Sequence, residues 1–249
     1  MKLTLLGTGE FRPHTQTASA GYTLQHGNTT LQLDFGRSVL SNMARAGIDW
    51  TTLDAILLSH LHPDHMGDLF HYLQSFAVCN HLKEIDTEIT IYGPRDFQAY
   101  FQHLRRVIIA PWGKIPEIKE LYDEKFTIGD FTIKAAPMKH PVDALGFRIE
   151  AGNKTICYTG DTAINDNLLE LAQDADVLLA ECSGVDDQPH EEHLAPADIA
   201  KVATEANVKK IVLTHYPPEE EVREKRRAAV QAKYAGEVVA GEDLMVIEI

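Results

Sequence analysis

Apolar positions along this chain come in short runs broken by polar, glycine and proline residues. The early runs read as strands. "KLTLL" (2–6), "GYTLQ" (21–25) and "TTLQLDF" (29–35) have strand length, and the turn "HGN" between the last two predicts a hairpin. Residues 37–46 have helical spacing and stop at Gly47. "LDAILLS" (53–59) is apolar almost throughout, which predicts a buried strand. Residues 68–81 return to helical spacing through Leu69, Leu73, Phe76 and Ala77. "EITIYGP" (88–94) predicts a strand halted at Gly93-Pro94, and 95–109 predicts a helix. Residues 110–120, with Pro111, Gly113 and Pro116, read as a loop.

Three further strands follow: "FTIKAAP" (131–137), "LGFRIEA" (145–151) and "KTICYTG" (154–160). Then the rhythm changes. A helical pattern at 165–173 precedes the apolar run "ADVLLAE", and another at 196–206 precedes "VKKIVLTH". Residues 218–235 read as a charged surface helix, and "DLMVIEI" (243–249) as a closing strand. Strand-rich stretches alternating with helices predict an α/β (α+β) architecture of two sheets face to face, with helices outside. No linker, repeat or low-complexity tract interrupts residues 1–249, so the chain reads as a single domain.

Composition narrows the function. The 249 residues are 44% hydrophobic, enough for a sizeable core. No apolar stretch is long enough to span a bilayer, which argues against a membrane role, and "MKLTLLGTGEF" reads as a first strand rather than a secretion signal. Cys79, Cys157 and Cys182 are an odd, scattered set, which suggests reduced thiols and a cytoplasmic location. The net charge of −14 should repel nucleic acid. Twelve histidines is a large number for this length.

Several of them crowd into "SHLHPDHMGD" (59–68), directly after the run at 53–59. Packing gives no reason for His60, His62, Asp64 and His65 to stand together, but neutral imidazole and carboxylate are good ligands for zinc and similar ions. Four donors within six residues diverge too much to surround one ion, yet they can serve two neighbouring ones. His140, Asp161 and His215 also stand just after apolar runs, so strand ends meeting at one edge of a sandwich would add them to the set. Gly160 permits a tight turn that aims Asp161 inward. Taken singly, a histidine after a strand is usually a surface or capping residue; the dense cluster is what raises the others. His26 falls in a turn, and His71, His81 and His103 in helical stretches as half-exposed residues. His14 and His190 lie in loops, and Trp112 and Tyr216 are wall or core residues. The run "EEEVREKRR" reads as a solvated helix whose order of charges suits the helix dipole.

The chain resembles the metallo-β-lactamase superfamily, and most of all its ribonuclease Z-like branch. The resemblance lies in "LGTG" (6–9), "LDFG" (33–36), "SHLHPDHMGD", "KHPVDALGFRI" (139–149), "YTGDT" (158–162), "AEC" (180–182), "HLAPAD" (193–198) and "LTHY" (213–216). It implies a four-layer αββα sandwich with two zinc ions, or manganese or iron, at one edge. By this resemblance His60, His62 and His140 would hold one ion, Asp64, His65 and His215 the other, and Asp161 would bridge. Asp64 would also orient the attacking water. A glutamate at position 62 would suit the di-iron redox members, so His62 favours hydrolysis. Glu181 and His193 match a pair that cooperates near the scissile phosphate, the glutamate orienting an imidazole that assists the leaving oxygen. Homodimers are common in the branch.

The chain also departs from ribonuclease Z. Residues 93–131 are too short and acidic for a transfer-RNA arm, and "RPHTQTAS" (12–19) only loosely matches the basic loop. The expectation is therefore a metal-dependent phosphodiesterase acting on a small diester. The alternatives are a lactonase, esterase or β-lactamase-type enzyme, or an arylsulfatase or phosphotriesterase, on the same metals, with transfer-RNA 3′ processing less favoured.

Overall fold

The computed structural model describes residues 1–14, 16–108, 114–187 and 191–249. In chain order its elements are β1 (Lys2–Gly7), β2 (Gly21–His26), β3 (Thr29–Leu33), α1 (Val39–Arg45), β4 (Ala55–Leu57), the single turn α2 (Pro63–Met66), α3 (Leu69–His81), β5 (Thr90–Gly93), α4 (Phe97–Ile108) and β6 (Glu117–Glu120). The second half runs β7 (Glu124–Ile128), β8 (Phe131–Pro137), β9 (Leu145–Ala151), β10 (Lys154–Tyr158), α5 (Asp166–Ala172), β11 (Val177–Glu181), α6 (Pro196–Glu205), β12 (Lys210–Thr214), α7 (Glu220–Gln231), β13 (Glu237–Ala240) and β14 (Val246–Glu248).

The strands form two seven-stranded sheets, ordered β14-β1-β2-β3-β4-β5-β6 and β13-β12-β11-β10-β9-β8-β7. Each is mixed in the same way. β1 to β3 pair antiparallel and β3 to β6 parallel. Likewise β7 to β10 pair antiparallel and β10 to β13 parallel. This likeness of topology leaves no repeat in the sequence.

Three apolar clusters account for the layers. Between the sheets lie Leu3, Leu5, Leu31, Leu33 and Leu57 from one side, and Ile133, Phe147, Ile149, Ile156 and Leu179 from the other. On the outer face of the first sheet, Val39 and Met43 of α1, Leu73 and Phe76 of α3, and Phe97 and Phe101 of α4 pack on Leu6, Ile56, Leu58 and Ile91. On the outer face of the second, Leu168, Ile199, Val202 and Val230 from α5, α6 and α7 cover Cys157, Leu178, Ile211 and Leu213. The order is therefore αββα. It explains the unbroken apolar runs: β4, β11 and β12 alternate, but both of their faces are buried. Each large side chain buried this way contributes roughly 1.5–3 kcal/mol.

Three strands fall where the sequence pattern shows none. β6 lies inside the stretch that reads as a loop, and β7 and β13 lie where the pattern predicts no element. β6 and β7 border one flank of the sandwich and β13 an edge of the other. Edge strands carry charge and need no continuous apolar face, so β6 reads only "EIKE". The helix at 218–235 shortens to α7, and the strand at 53–59 to the three residues of β4. His71, His81 and His103 are exposed rather than half-exposed. Tyr216 is a core residue, whereas Trp112 and His190 lie outside the described residues.

Candidate metal centre

The carboxyl ends of the parallel strands β4, β10, β11 and β12 point to one rim, and the loops after them carry the polar residues. After β4 the chain runs through buried Ser59 and His60, and Pro63 then opens the turn α2 with its ring at the first helical position. The His65 amide closes that turn on the His62 carbonyl at 2.9 Å, so His62, Asp64 and His65 leave one short bend in different directions. His140 follows β8; the backbone at Lys139 bridges to Ala163, tying its loop to the one after β10. There Gly160 adopts φ +56°, with space for no Cβ: one would meet the Leu145 carbonyl at 2.7 Å and Ser59 at 2.9 Å. Asp161 follows. His215 directly follows β12 with φ +50°, a left-handed backbone at a non-glycine residue.

All seven side chains come together. The Nε2 of His60 and of His140 stand 3.0 and 3.3 Å from His62 Nδ1. His215 Nε2 lies 3.1 Å from His65 Nε2 and 3.2 Å from Asp64 Oδ2. Asp161 lies between the two groups, with Oδ2 at 3.9 Å from His60 Nε2 and 3.5 Å from His215 Nε2, and Oδ1 at 3.4 Å from His65 Nε2. Each trio, His60/His62/His140 and Asp64/His65/His215, has its donor atoms within 4.8 Å of one another.

Tautomers decide whether this set suits a cation. His65 Nδ1 faces Asp34 Oδ2 at 2.7 Å and His140 Nδ1 faces the Glu192 carbonyl at 3.2 Å; both partners only accept, so both Nδ1 atoms carry the proton. The Nε2 lone pairs of the neutral rings then point inward. Burial, with His65 adding to it, holds the His60 imidazole well below its ordinary pKa, and burial also lowers His140. These rings face one another as lone pairs that cannot all be satisfied by sharing protons. Asp161 Oδ1 is buried and has no hydrogen-bond partner. Burial opposes charge on His65, yet Asp161 and Asp34 hold its pKa well above the ordinary value. The negative field that favours a proton there favours a metal cation equally. The residues present therefore fit a metal.

Glu181 and His193 stand beside the cluster. Glu181, at the end of β11, is 1% exposed. Its Oε1 accepts from His193 Nδ1 at 2.9 Å, Thr162 N at 3.1 Å and Leu194 N at 3.2 Å, and its Oε2 from Ser183 N at 2.9 Å. Burial pulls the His193 imidazole down, but the bond to Glu181 together with the negative charges of Glu181, Asp161 and Glu192 outweighs it and holds the ring up at about 9. The His193 ring lies 5.4 Å from that of His140 and 6.1 Å from that of His215. His14 instead accepts from the Gln16 amide within its own loop.

Other residues of the centre carry no expectation from the sequence. Asp34, fully buried at φ +51°, accepts from Ser59 N, Ser59 Oγ, His65 Nδ1 and the Tyr158 hydroxyl. It stands in the quoted "LDFG" and follows an apolar strand, the same signal that singles out Asp161. Ser183 Oγ lies 2.8 Å from His215 Nδ1 and donates to the His215 carbonyl at 2.7 Å. Nothing in the sequence marks it.

A four-layer sandwich with histidines and aspartates gathered at one rim defines a class. The chain belongs to the beta-lactamase superfamily, whose domain profile matches residues 32–216, and within it to the ribonuclease Z-like branch of metallo-hydrolases. It is 31% identical over 225 residues to the probable metallo-hydrolase YhfI of Bacillus subtilis, covering 87% of each chain. The crystal structure of YhfI superposes with a TM-score of 0.86 at 27% identity, over 99% of this chain and 98% of that one. Ribonuclease Z of Mycobacterium bovis is 29% identical over 276 residues, spanning all of this chain and 98% of the relative. The short form of human tRNase Z shares the fold, with a TM-score of 0.82 at 23% identity over 100% and 99% of the two chains.

Proposed function

We propose that this protein is a dinuclear metal-dependent hydrolase that cleaves a small phosphodiester. His60, His62 and His140 would hold one divalent cation and Asp64, His65 and His215 a second, with Asp161 between them. Zinc suits the nitrogen-rich set, and manganese or iron are alternatives. Two such cations, when bound, make water nucleophilic near neutral pH and offset the charge on the reacting oxygens.

The observation that carries the reading is the 2.9 Å bond between Glu181 and His193 at the edge of the cluster. Glu181 accepts a hydrogen bond from Nδ1–H, which orients the ring so that Nε2 is the atom to meet substrate. A histidine so held can give a proton to a departing alkoxide, a need that is acute for an alkyl phosphodiester. Asp64 Oδ2 accepts at the opposite trio and can orient the attacking water. The net charge of −14 favours a small diester over a polynucleotide.

The test uses metal-free protein reloaded with zinc or manganese and offered alkyl phosphodiesters, nitrophenyl diesters, lactones and carboxylic esters. Chelation should abolish turnover and metal should restore it. His193→Ala should slow an alkyl diester by about 100-fold or more. It should slow a nitrophenyl diester far less, because nitrophenoxide leaves without a proton. Equal losses on both would remove His193 from the acid role. Faster turnover of lactones than of any diester would move the target from phosphorus to carbonyl carbon.

A further inference from the structure

α7 carries the charged run "EEVREKRR", expected to face solvent, yet Arg226 within it is only 7% exposed. Among the described residues it forms no ion pair with a carboxylate. Its guanidinium instead donates to three consecutive carbonyls: Nη1 to Cys182 and Gly184, and Nη2 to Ser183 at 3.0 Å. Burying a guanidinium without a counter-ion is costly unless its donors are well used, and a planar fork suits a row of oxygens that a point charge would match poorly.

The clasped turn is the one that leaves β11 for the rim. Its first residue, Glu181, accepts from His193 and from the Ser183 amide. Ser183 Oγ spends its proton on the His215 carbonyl, so its lone pair is left to receive His215 Nδ1–H. That arrangement directs the His215 Nε2 lone pair at Asp64 and His65. Three successive carbonyls turned to one side repel one another, and Arg226 supplies the positive charge that holds them.

We propose that Arg226 is a positioning residue for the metal centre: by gathering the carbonyls of residues 182–184 it holds Ser183 against His215 and so aims that imidazole. The inference rests on the proposed reading that His215 is a ligand of one of two ions.

Two measurements on the intact protein test it, each with Arg226→Lys, Ser183→Ala and the double variant. Ser183→Ala removes one hydroxyl, so it keeps the test alive if the lysine variant does not fold. In the first, Co2+ is titrated into metal-free protein and followed by visible absorption. Each single variant should weaken one of the two sites about tenfold and spare the other, and the double variant should fall no further. Weakening of both sites alike, or of neither, overturns the proposal. In the second, amide exchange is measured without metal. The Cys182, Ser183 and Gly184 amides, bonded to Thr214 O, Glu181 Oε2 and Leu194 O, should exchange about tenfold faster in Arg226→Lys, with β11 and α6 unchanged. Unchanged exchange there also overturns it. Wild-type protein that takes up fewer than two ions would refute the dinuclear reading instead, and the exchange result would still decide whether Arg226 holds the turn.

Discussion

Asp34→Asn perturbs the centre while leaving every proposed ligand in place. One oxygen of the carboxylate takes Ser59 N at 2.7 Å; the other takes Ser59 Oγ and His65 Nδ1, both at 2.7 Å, and the Tyr158 hydroxyl at 2.5 Å. A carboxamide has one oxygen. In its better orientation that oxygen faces the three donors, and the new NH2 meets the Ser59 amide, donor against donor. The orphaned amide costs about 1–3 kcal/mol, and three bonds that drop from charge-assisted to neutral lose roughly 1 kcal/mol each. The sum is roughly 4–6 kcal/mol, a large part of the 5–15 kcal/mol typical of a folded domain. Urea unfolding of the metal-free variant beside wild type reads this directly. His65 also loses the anion that fixes its tautomer, so zinc affinity should fall about 10–100-fold. A stability loss under about 1 kcal/mol would show that the Asp34 network does not hold the site as argued.

Burial pushes the Cys157 and Cys182 thiols from 9.0 up to about 12. Between those values an unfolded chain releases the protons and the folded chain keeps them, so stability should fall with rising pH by roughly 1.4 kcal/mol per unit per thiol; a Cys157→Ala/Cys182→Ala protein should show a shallower alkaline slope by equilibrium unfolding. Gly36→Ala would bring a Cβ to 2.1 Å from the Asp64 carbonyl and 2.8 Å from that of Ala20, displacing the ligand loop itself. It should cost more stability and more metal uptake than Gly47→Ala, which has open space around it and pays only the left-handed backbone, about 1–2 kcal/mol; equal effects of the two would contradict the close approach.

The donors were legible in the sequence because each stands directly after an apolar run, and the sandwich turns strand ends into neighbours. Gly160 was legible too, since its turn needs a positive φ. The supporting shell was not. Ser59 and Tyr158 are ordinary buried polar residues and Ser183 a half-buried one, and their partners lie far along the chain: Tyr158 meets Asp34 across 124 positions. The inward turn of Arg226 is not legible because charge periodicity reports which way a helix faces only on average, and one arginine can turn inward where three carbonyls await it. The edge strands β6 and β7 escape for a related reason: pairing there comes from backbone, and their side chains are largely polar or exposed, whereas β13 is apolar but only four residues long.

His215 holds its left-handed backbone at the place where its ring must aim inward. Such a conformation costs on the order of 1–3 kcal/mol, which glycine or asparagine would largely avoid. Heat-resistance screening that ignored turnover should therefore enrich replacements at position 215 early, and the survivors would be sturdier and inert. In this chain durability and chemistry compete at one peptide unit, and an engineer seeking both must look for the gain elsewhere.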